Sequence, residues 1–197
     1  MFRGLFYVLF PPQCAACGEP GSGLCGRCAP ARDPVTIALP SLRVRAAAPY
    51  EGAWRRAILA LKDGRRDVGD ALGERLAAMV PSGACLVPVP TTAARRRVRG
   101  LDGVACLAHA AATRDARVIP ALRQRSGGPQ HGRSGSERRG ARGRFTCDAS
   151  LVAGLDVVLI DDVCTTGTTL EDCAAALRAA GARVTQAFVV AAAKPPE

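Results

Sequence analysis

The sequence predicts an α/β fold: a mainly parallel sheet flanked by helices, with a small cysteine-rich module at its N-terminal end. Three observations carry this expectation. From residue 84 onward, apolar runs of strand length alternate with segments of helical periodicity, the pattern of successive βαβ units. One run, Val157-Val158-Leu159-Ile160, is apolar without interruption and ends in two acids, as a central parallel strand does. Residues 11–33 instead carry four cysteines among prolines and glycines, with no hydrophobic period.

The elements follow in order. Residues 1–10 (MFRGLFYVLF) form an apolar run too short for a membrane span or a secretory signal, and read as a short amphipathic helix. Residues 1–35 are expected to form that helix and a small independent cysteine knot, followed by a linker through Pro34 and Pro40. The main domain is expected over 43–197. Within it, 43–49 reads as a strand. Residues 51–62 place Trp54, Ile58 and Leu61 at helical spacing, and Asp63-Gly64 ends that helix. A second helix is predicted from Asp67 to Val80. Residues 84–89 read as a buried strand, 101–114 as a helix and 117–120 as a short strand. The stretch 123–145 is rich in glycine and arginine and supplies almost no core, so it reads as a mobile loop. A helix over 168–180 stops at Gly181, and 182–193 gives the last strand.

The chain has 197 residues and a net charge of +10. That length fits one ordinary domain with an appendage. Aromatics make up 4 %, a thin supply for a base-stacking surface. The charge is localised. Arg95, Arg96, Arg97 and Arg99 contribute +4, and seven arginines against Glu137 in 123–144 contribute +6, which together equal the whole excess. Two local anion sites, or one site built from two segments, fit this better than an evenly basic surface. Nucleic acid is a second possible user of the same arginines.

The sharpest feature is the stretch from Val157 to Thr169, VVLIDDVCTTGTT. An apolar strand delivers Asp161 and Asp162 at its carboxyl end, where open α/β sheets bind ligands. The turn that follows offers backbone N–H groups, four threonine hydroxyls and a helix N-terminus, all suited to a phosphate. Gly167 lets the backbone approach an anion closely. The adjacent acids would repel a phosphate, and suit hydroxyls, a divalent metal or developing positive charge instead.

This stretch resembles the phosphoribosyl pyrophosphate (PRPP) motif of type I phosphoribosyltransferases. The resemblance implies that Asp161 and Asp162 hold the ribose hydroxyls with Mg²⁺ nearby and act in catalysis. It also implies that Thr165, Thr166, Gly167, Thr168 and Thr169 hold the 5′-phosphate. Hypoxanthine-type members carry an Asp where Thr165 stands here. His109, in a predicted helix, reads as a packing residue, and His131 falls in the loop.

Cys14-x2-Cys17 and Cys25-x2-Cys28 suit a closed, structural, four-thiolate Zn²⁺ site. Two disulfides, a redox dithiol, iron or an intersubunit site use the same residues. Cys85, Cys106, Cys147, Cys164 and Cys173 lie among apolar neighbours and read as buried free thiols.

Four cysteines ahead of a PRPP motif resemble the ComF family (competence protein F). Leu59-Ala60-Leu61-Lys62-Asp63-Gly64 is similar to its Leu-Lys-x-x-Gly stretch, and Val87-Pro88-Val89-Pro90 followed by Arg95 and Arg99-Gly100 to its VPVP…R…RG segment. Gln130, Arg138 and Phe145 are similar to its loop. Leu101, Asp102 and Gly103 depart from its Phe-Asn-Gln, and Arg133 and Ala141 from its Leu and Asn. The resemblance implies pyrophosphate binding by Val89, Pro90, Arg95, Arg99 and Lys62. It implies a lid or nucleic-acid role for Gln130, Arg138, Arg139, Arg142 and Arg144. PRPP is the expected partner, with single-stranded DNA and competence-machinery proteins as the alternative. A cytoplasmic location is expected.

Overall fold

This computed structural model describes residues 11–92, 100–112, 115–125 and 143–193. The strands are β1 (Val35–Ala38), β2 (Arg43–Pro49), β3 (Cys85–Pro88), β4 (Arg117–Val118), β5 (Leu122–Gln124), β6 (Phe145–Cys147), β7 (Asp156–Cys164) and β8 (Arg183–Ala192). The helices are α1 (Gly52–Lys62), α2 (Arg66–Ala77), α3 (Gly103–Ala111), α4 (Ala149–Val152) and α5 (Thr168–Ala179). Among the described residues, six strands form one sheet in the order β1-β2-β8-β7-β3-β4. Only β1 runs antiparallel to its neighbour. β5 and β6 form a separate antiparallel pair.

The order fixes the layers. From β3 the chain passes through α3 to β4, moving one way across the sheet. From β7 it passes through α5 to β8, moving the other way. Right-handed crossovers in opposite directions place α3 and α5 on opposite faces. The β2 to β3 connection, through α1 and α2, shares the face of α3. The β3–β7 boundary is therefore the topological switch point, where open α/β sheets bind their ligands.

Each helix buries one stripe. On α1 it is Trp54, Ala57, Ile58 and Leu61, at helical spacing. On α2 it includes Gly69 and Gly73, which let α3 approach closely; a Cβ on Gly73 would stand 2.3 Å from that of Ala110. The central strand β8 is buried from Ala187 through Ala192, between β2 and β7.

The structure differs from the sequence reading in several places. Residues 35–38, expected as linker, form edge strand β1 on β2. Pro34 and Pro40 flank the β-branched Val35-Thr36-Ile37 run, so they delimit the strand without interrupting its ladder. The strand carrying the acid pair continues past it to Cys164, because β8 supplies partners for Asp161, Val163 and Cys164. The second helix ends at Ala77. His109 is exposed, since α3 buries Val104, Leu107, Ala108 and Ala111 and residue 109 falls outside that stripe. Cys147 is half-buried, whereas Cys85, Cys106, Cys164 and Cys173 are buried free thiols.

The cysteine segment rests on α2. Leu24 and Ala29 are fully buried. Arg75 Nη1 donates to the Ala29 carbonyl at 2.8 Å, and Arg65 donates to the Gln13 carbonyl. The backbone at Gly23 lies so close to that of Asp67 and Val68 that a Cβ would come within 2.6 Å of it.

Candidate active site

Two strand ends and two helix ends converge at the switch point. Val89 N–H continues the β3–β7 ladder, donating to the Ile160 carbonyl at 2.9 Å. The exit of β3 (Pro88, Val89, Pro90) thus lies beside Asp161 and Asp162 on β7.

Successive strand residues point to opposite faces, and the two acids separate accordingly. Asp162 meets α1, where Lys62 Nζ lies 3.2 Å from its Oδ2. Asp161 is turned toward α5. It is the one buried charged or polar residue among those described, at 9 % exposure. Its Oδ1 accepts the Asp162 N–H at 2.8 Å. Burial, followed by the neighbouring Asp162 charge, pushes the Asp161 carboxyl up to about 8, against the opposing pull of that N–H and of Lys62. Burial, and then the Asp161 charge, in turn raise the Cys173 thiol on α5.

Residues 165–167 join β7 to α5. Gly167 has a φ of +77°, a left-handed conformation that favours glycine, and it caps the helix N-terminus. Thr166 Oγ1 lies 3.0 Å from Thr168 Oγ1. Thr165, Thr166 and Thr168 are exposed and Thr169 is half-buried, so these hydroxyls face outward at the positive end of a 12-residue helix.

At the β3 exit lies a cleft of about 420 Å³. Pro88 at the end of β3 and Val89, Pro90 and Thr91 after it line the cleft, with Asp102 at the N-cap of α3 and Gln124 from β5. Asp102 caps α3 by accepting the Ala105 N–H, and accepts from the Thr91 hydroxyl, each at 3.2 Å. Sequence reasoning saw residue 102 only as a departure from a family pattern; Asp followed three residues later by a helical N–H is the cap signal that marks its role.

The structure brings together Asp161, Asp162, Lys62 and the loop 165–169, with Val89 and Pro90 adjacent. Lys62, expected at pyrophosphate, pairs with Asp162. Arg144, expected in the lid, bonds Asp172 of α5 at 2.6 Å and stacks over the Phe145 ring at 5.9 Å. Arg95, Arg99, Gln130, Arg138, Arg139 and Arg142 lie outside the described residues.

At the far end of the chain's α2 contact, the Sγ atoms of Cys14, Cys17, Cys25 and Cys28 all lie within 4.8 Å of one another. Cys17 and Cys25 Sγ are 3.8 Å apart. A tetrahedral zinc with Zn–S bonds of about 2.3 Å sets sulfur atoms about 3.8 Å apart, so the donor set fits that ion. Burial works against ionising Cys14, but backbone N–H bonds from residues 25, 16 and 17 outweigh it and bring the thiol down to about 6. The adjacent Cys17, and then burial, push Cys28 up to about 12. A backbone N–H bond at Glu19 lowers the Cys17 thiol as well, so the fold favours thiolates at Cys14 and Cys17, and a dication would stabilise the others.

These features have a counterpart among known families. Residues 113–196 match the phosphoribosyl transferase domain. The match begins after α3 and contains β7, the acid pair, the threonine loop and α5. Lys62, the β3 exit and the four cysteines precede it. The mainly parallel, helix-flanked sheet is that of the type I phosphoribosyltransferase fold. Two solved structures resemble the chain, each at 24 % identity. One is described as the allosteric regulatory enzyme of purine biosynthesis, with a TM-score of 0.42. The other is a glutamine PRPP amidotransferase from B. subtilis complexed with ADP and GMP, with a TM-score of 0.46. Each likeness covers 62 % of this chain, which spans only 26 % of either relative. No curated protein sequence matches the chain. Among the described residues, no helix is long and apolar enough to cross a membrane.

Proposed function

We propose that the chain binds PRPP and transfers its phosphoribosyl group to an acceptor with release of pyrophosphate. The observation that carries this reading is the buried Asp161 beside Asp162 at the switch point, followed directly by the glycine–threonine turn and the N-terminus of α5. In this reading the 5′-phosphate sits on the N–H groups and hydroxyls of residues 165–169. The ribose hydroxyls donate to Asp161 and Asp162. A hydroxyl donor favours the ionised form of a buried carboxylate, so sugar binding offsets the desolvation of Asp161. As the bond from the anomeric carbon to pyrophosphate breaks, positive charge develops on the ribose ring, and the two carboxylates stabilise it. Mg²⁺ brought in with PRPP would supply positive charge to offset that of the leaving pyrophosphate.

Lys62 holds Asp162 in place. Pyrophosphate leaves past Val89 and Pro90; Arg95 and Arg99, expected from the sequence to meet it, lie outside the described residues. The cleft behind the β3 exit receives the acceptor, with Asp102, Thr91 and Gln124 as its polar groups. The four-cysteine cluster, occupied by zinc, is structural. Its position ahead of the PRPP loop supports placement in the ComF family. A competence role with single-stranded DNA rests on Arg138, Arg139 and Arg142, outside the described residues.

Calorimetric titration with PRPP and Mg²⁺ tests the reading. Wild type is expected to bind, and Asp161→Ala/Asp162→Ala to lose at least tenfold in affinity. A wild type that shows no PRPP binding overturns it.

A further inference from the structure

The turn between β1 and β2 plays no part in the reading above, yet it packs directly on the threonine loop. Leu39 N–H closes the turn on the Leu42 carbonyl at 2.8 Å, and Leu42 is buried. The side chain of Leu39 lies directly over Gly167: a Cβ there would stand 2.5 Å from Leu39 Cδ1 and 2.6 Å from Cδ2.

Ser41, two residues on, is tied to α5 through every polar atom it has. Its N–H donates to Glu171 Oε1 at 2.9 Å, and its hydroxyl also bonds the Glu171 carboxylate. Arg178 donates to the Ser41 hydroxyl at 2.7 Å and to its carbonyl at 2.8 Å, and reaches the Val184 carbonyl at 2.6 Å. Glu171 N–H in turn bonds the Gly167 carbonyl at 3.0 Å. A short exposed turn with four polar bonds to one helix is more constrained than surface turns generally are.

We propose that this turn is a strap that positions the anion loop. Leu39 fills the space left by the missing side chain of Gly167, and the Glu171–Ser41–Arg178 cluster holds Leu39 there. The backbone N–H groups of residues 165–169 are thereby fixed in one arrangement before any anion arrives. Preorganised donors bind more tightly because the ordering has already taken place. Leu39 and Ser41 are positioning residues: they act on a phosphate monoester through the loop and touch no ligand themselves. The identity of that ligand rests on the functional reading above; the strap does not.

The test uses ribose 5-phosphate and inorganic pyrophosphate as separate probes of wild type, Leu39→Ala, Leu39→Met and Ser41→Ala, together with amide hydrogen exchange. In Leu39→Ala, ribose 5-phosphate is expected to bind about tenfold more weakly and the amides of 165–169 to exchange faster. Pyrophosphate affinity is expected to stay as in wild type. Leu39→Met refills the space and is expected to restore both readouts, while Ser41→Ala shifts them in the same direction as Leu39→Ala by a smaller factor. The strap is overturned if Leu39→Ala keeps wild-type exchange at 165–169, or if both ligands weaken together, which marks a general loss of structure. If wild type itself ignores ribose 5-phosphate, the functional reading falls, and the exchange measurement alone decides the strap.

Discussion

Lys62 Nζ and Asp162 Oδ2 lie 3.2 Å apart, and this contact joins the C-terminal end of α1 to the acid pair on β7. Both side chains are partly buried, at 31 % and 17 % exposure. Removing one partner leaves the other desolvated and unpaired, which costs more than the pair contributes. Lys62→Met is expected to destabilise the fold by about 1–2 kcal/mol, and Lys62→Arg by less. A double-mutant cycle with Asp162→Asn, read by denaturant unfolding, is expected to give a coupling of about 1 kcal/mol. A coupling near zero would mean that α1 and β7 are held together by their apolar contacts alone.

Asp161 predicts a pH dependence with a definite sign. Its folded-state value is raised to about 8 by burial and by Asp162, whereas an unfolded Asp titrates at about 3.9. Below about pH 4 both states hold the proton, and the residue adds no pH-dependent term. As pH rises from about 4 to 8 the unfolded chain loses that proton and the folded chain keeps it, so stability falls across that window and levels off above 8. Asp161→Asn, whose carbonyl still accepts the Asp162 N–H, removes the effect. The variant is expected to match wild type near pH 4.5 and to exceed it increasingly up to pH 8 in urea titrations. A constant offset between the two would show that Asp161 does not change protonation in this range.

What the sequence made legible was whatever depends on neighbours in the chain. The apolar run into Asp161 and Asp162, the glycine–threonine turn, the stripe on α1 and the spacing of the four cysteines are all local patterns. The contacts missed were the ones made across the chain. Nothing near Lys62 signals that α1 ends against Asp162, because a lysine closing a helix also suits the helix dipole and solvent. Nothing near Ser41 signals Glu171 and Arg178, which follow it by 130 and 137 residues. The extent of β7 was set by its ladder with β8, whose partners Val189 to Ala192 no local period reveals. Arg144 is exposed by composition and bonded by topology, since β6 brings it to Asp172.

Gly167 is expected to tolerate no side chain. Its left-handed φ of +77° costs an L-residue about 1–2 kcal/mol. A methyl group would also overlap Leu39, which the strap holds in place. Gly167→Ala is expected to lower the unfolding midpoint by several degrees and to reduce affinity for PRPP at least tenfold. The second variant Gly167→Ala/Leu39→Ala separates the two causes. Relief of the overlap should recover part of the stability, and the left-handed strain should remain. Full recovery would assign the whole effect to the clash, and no recovery would assign it to the backbone.

The cysteine cluster gives the last prediction. With four sulfurs closed on one another and no open position, zinc bound there stabilises structure, and its removal should act through the docking of the knot on α2. That docking runs through Gln13 and Ala29, which receive Arg65 and Arg75. Elemental analysis of protein purified in a thiol reductant is expected to find about one zinc per chain, since a disulfide alternative would be reduced and empty under the same conditions. Cys17→Ser or a strong chelator should release the metal, lower the unfolding midpoint and expose Arg65 and Arg75. PRPP affinity should fall by no more than a few-fold, because the knot supplies no side chain to the β3 exit, the acid pair or the threonine loop. A loss of PRPP binding in step with zinc, while the sheet stays folded, would instead show that the α1–α2 corner carries the state of the knot to Lys62, three residues before Arg65.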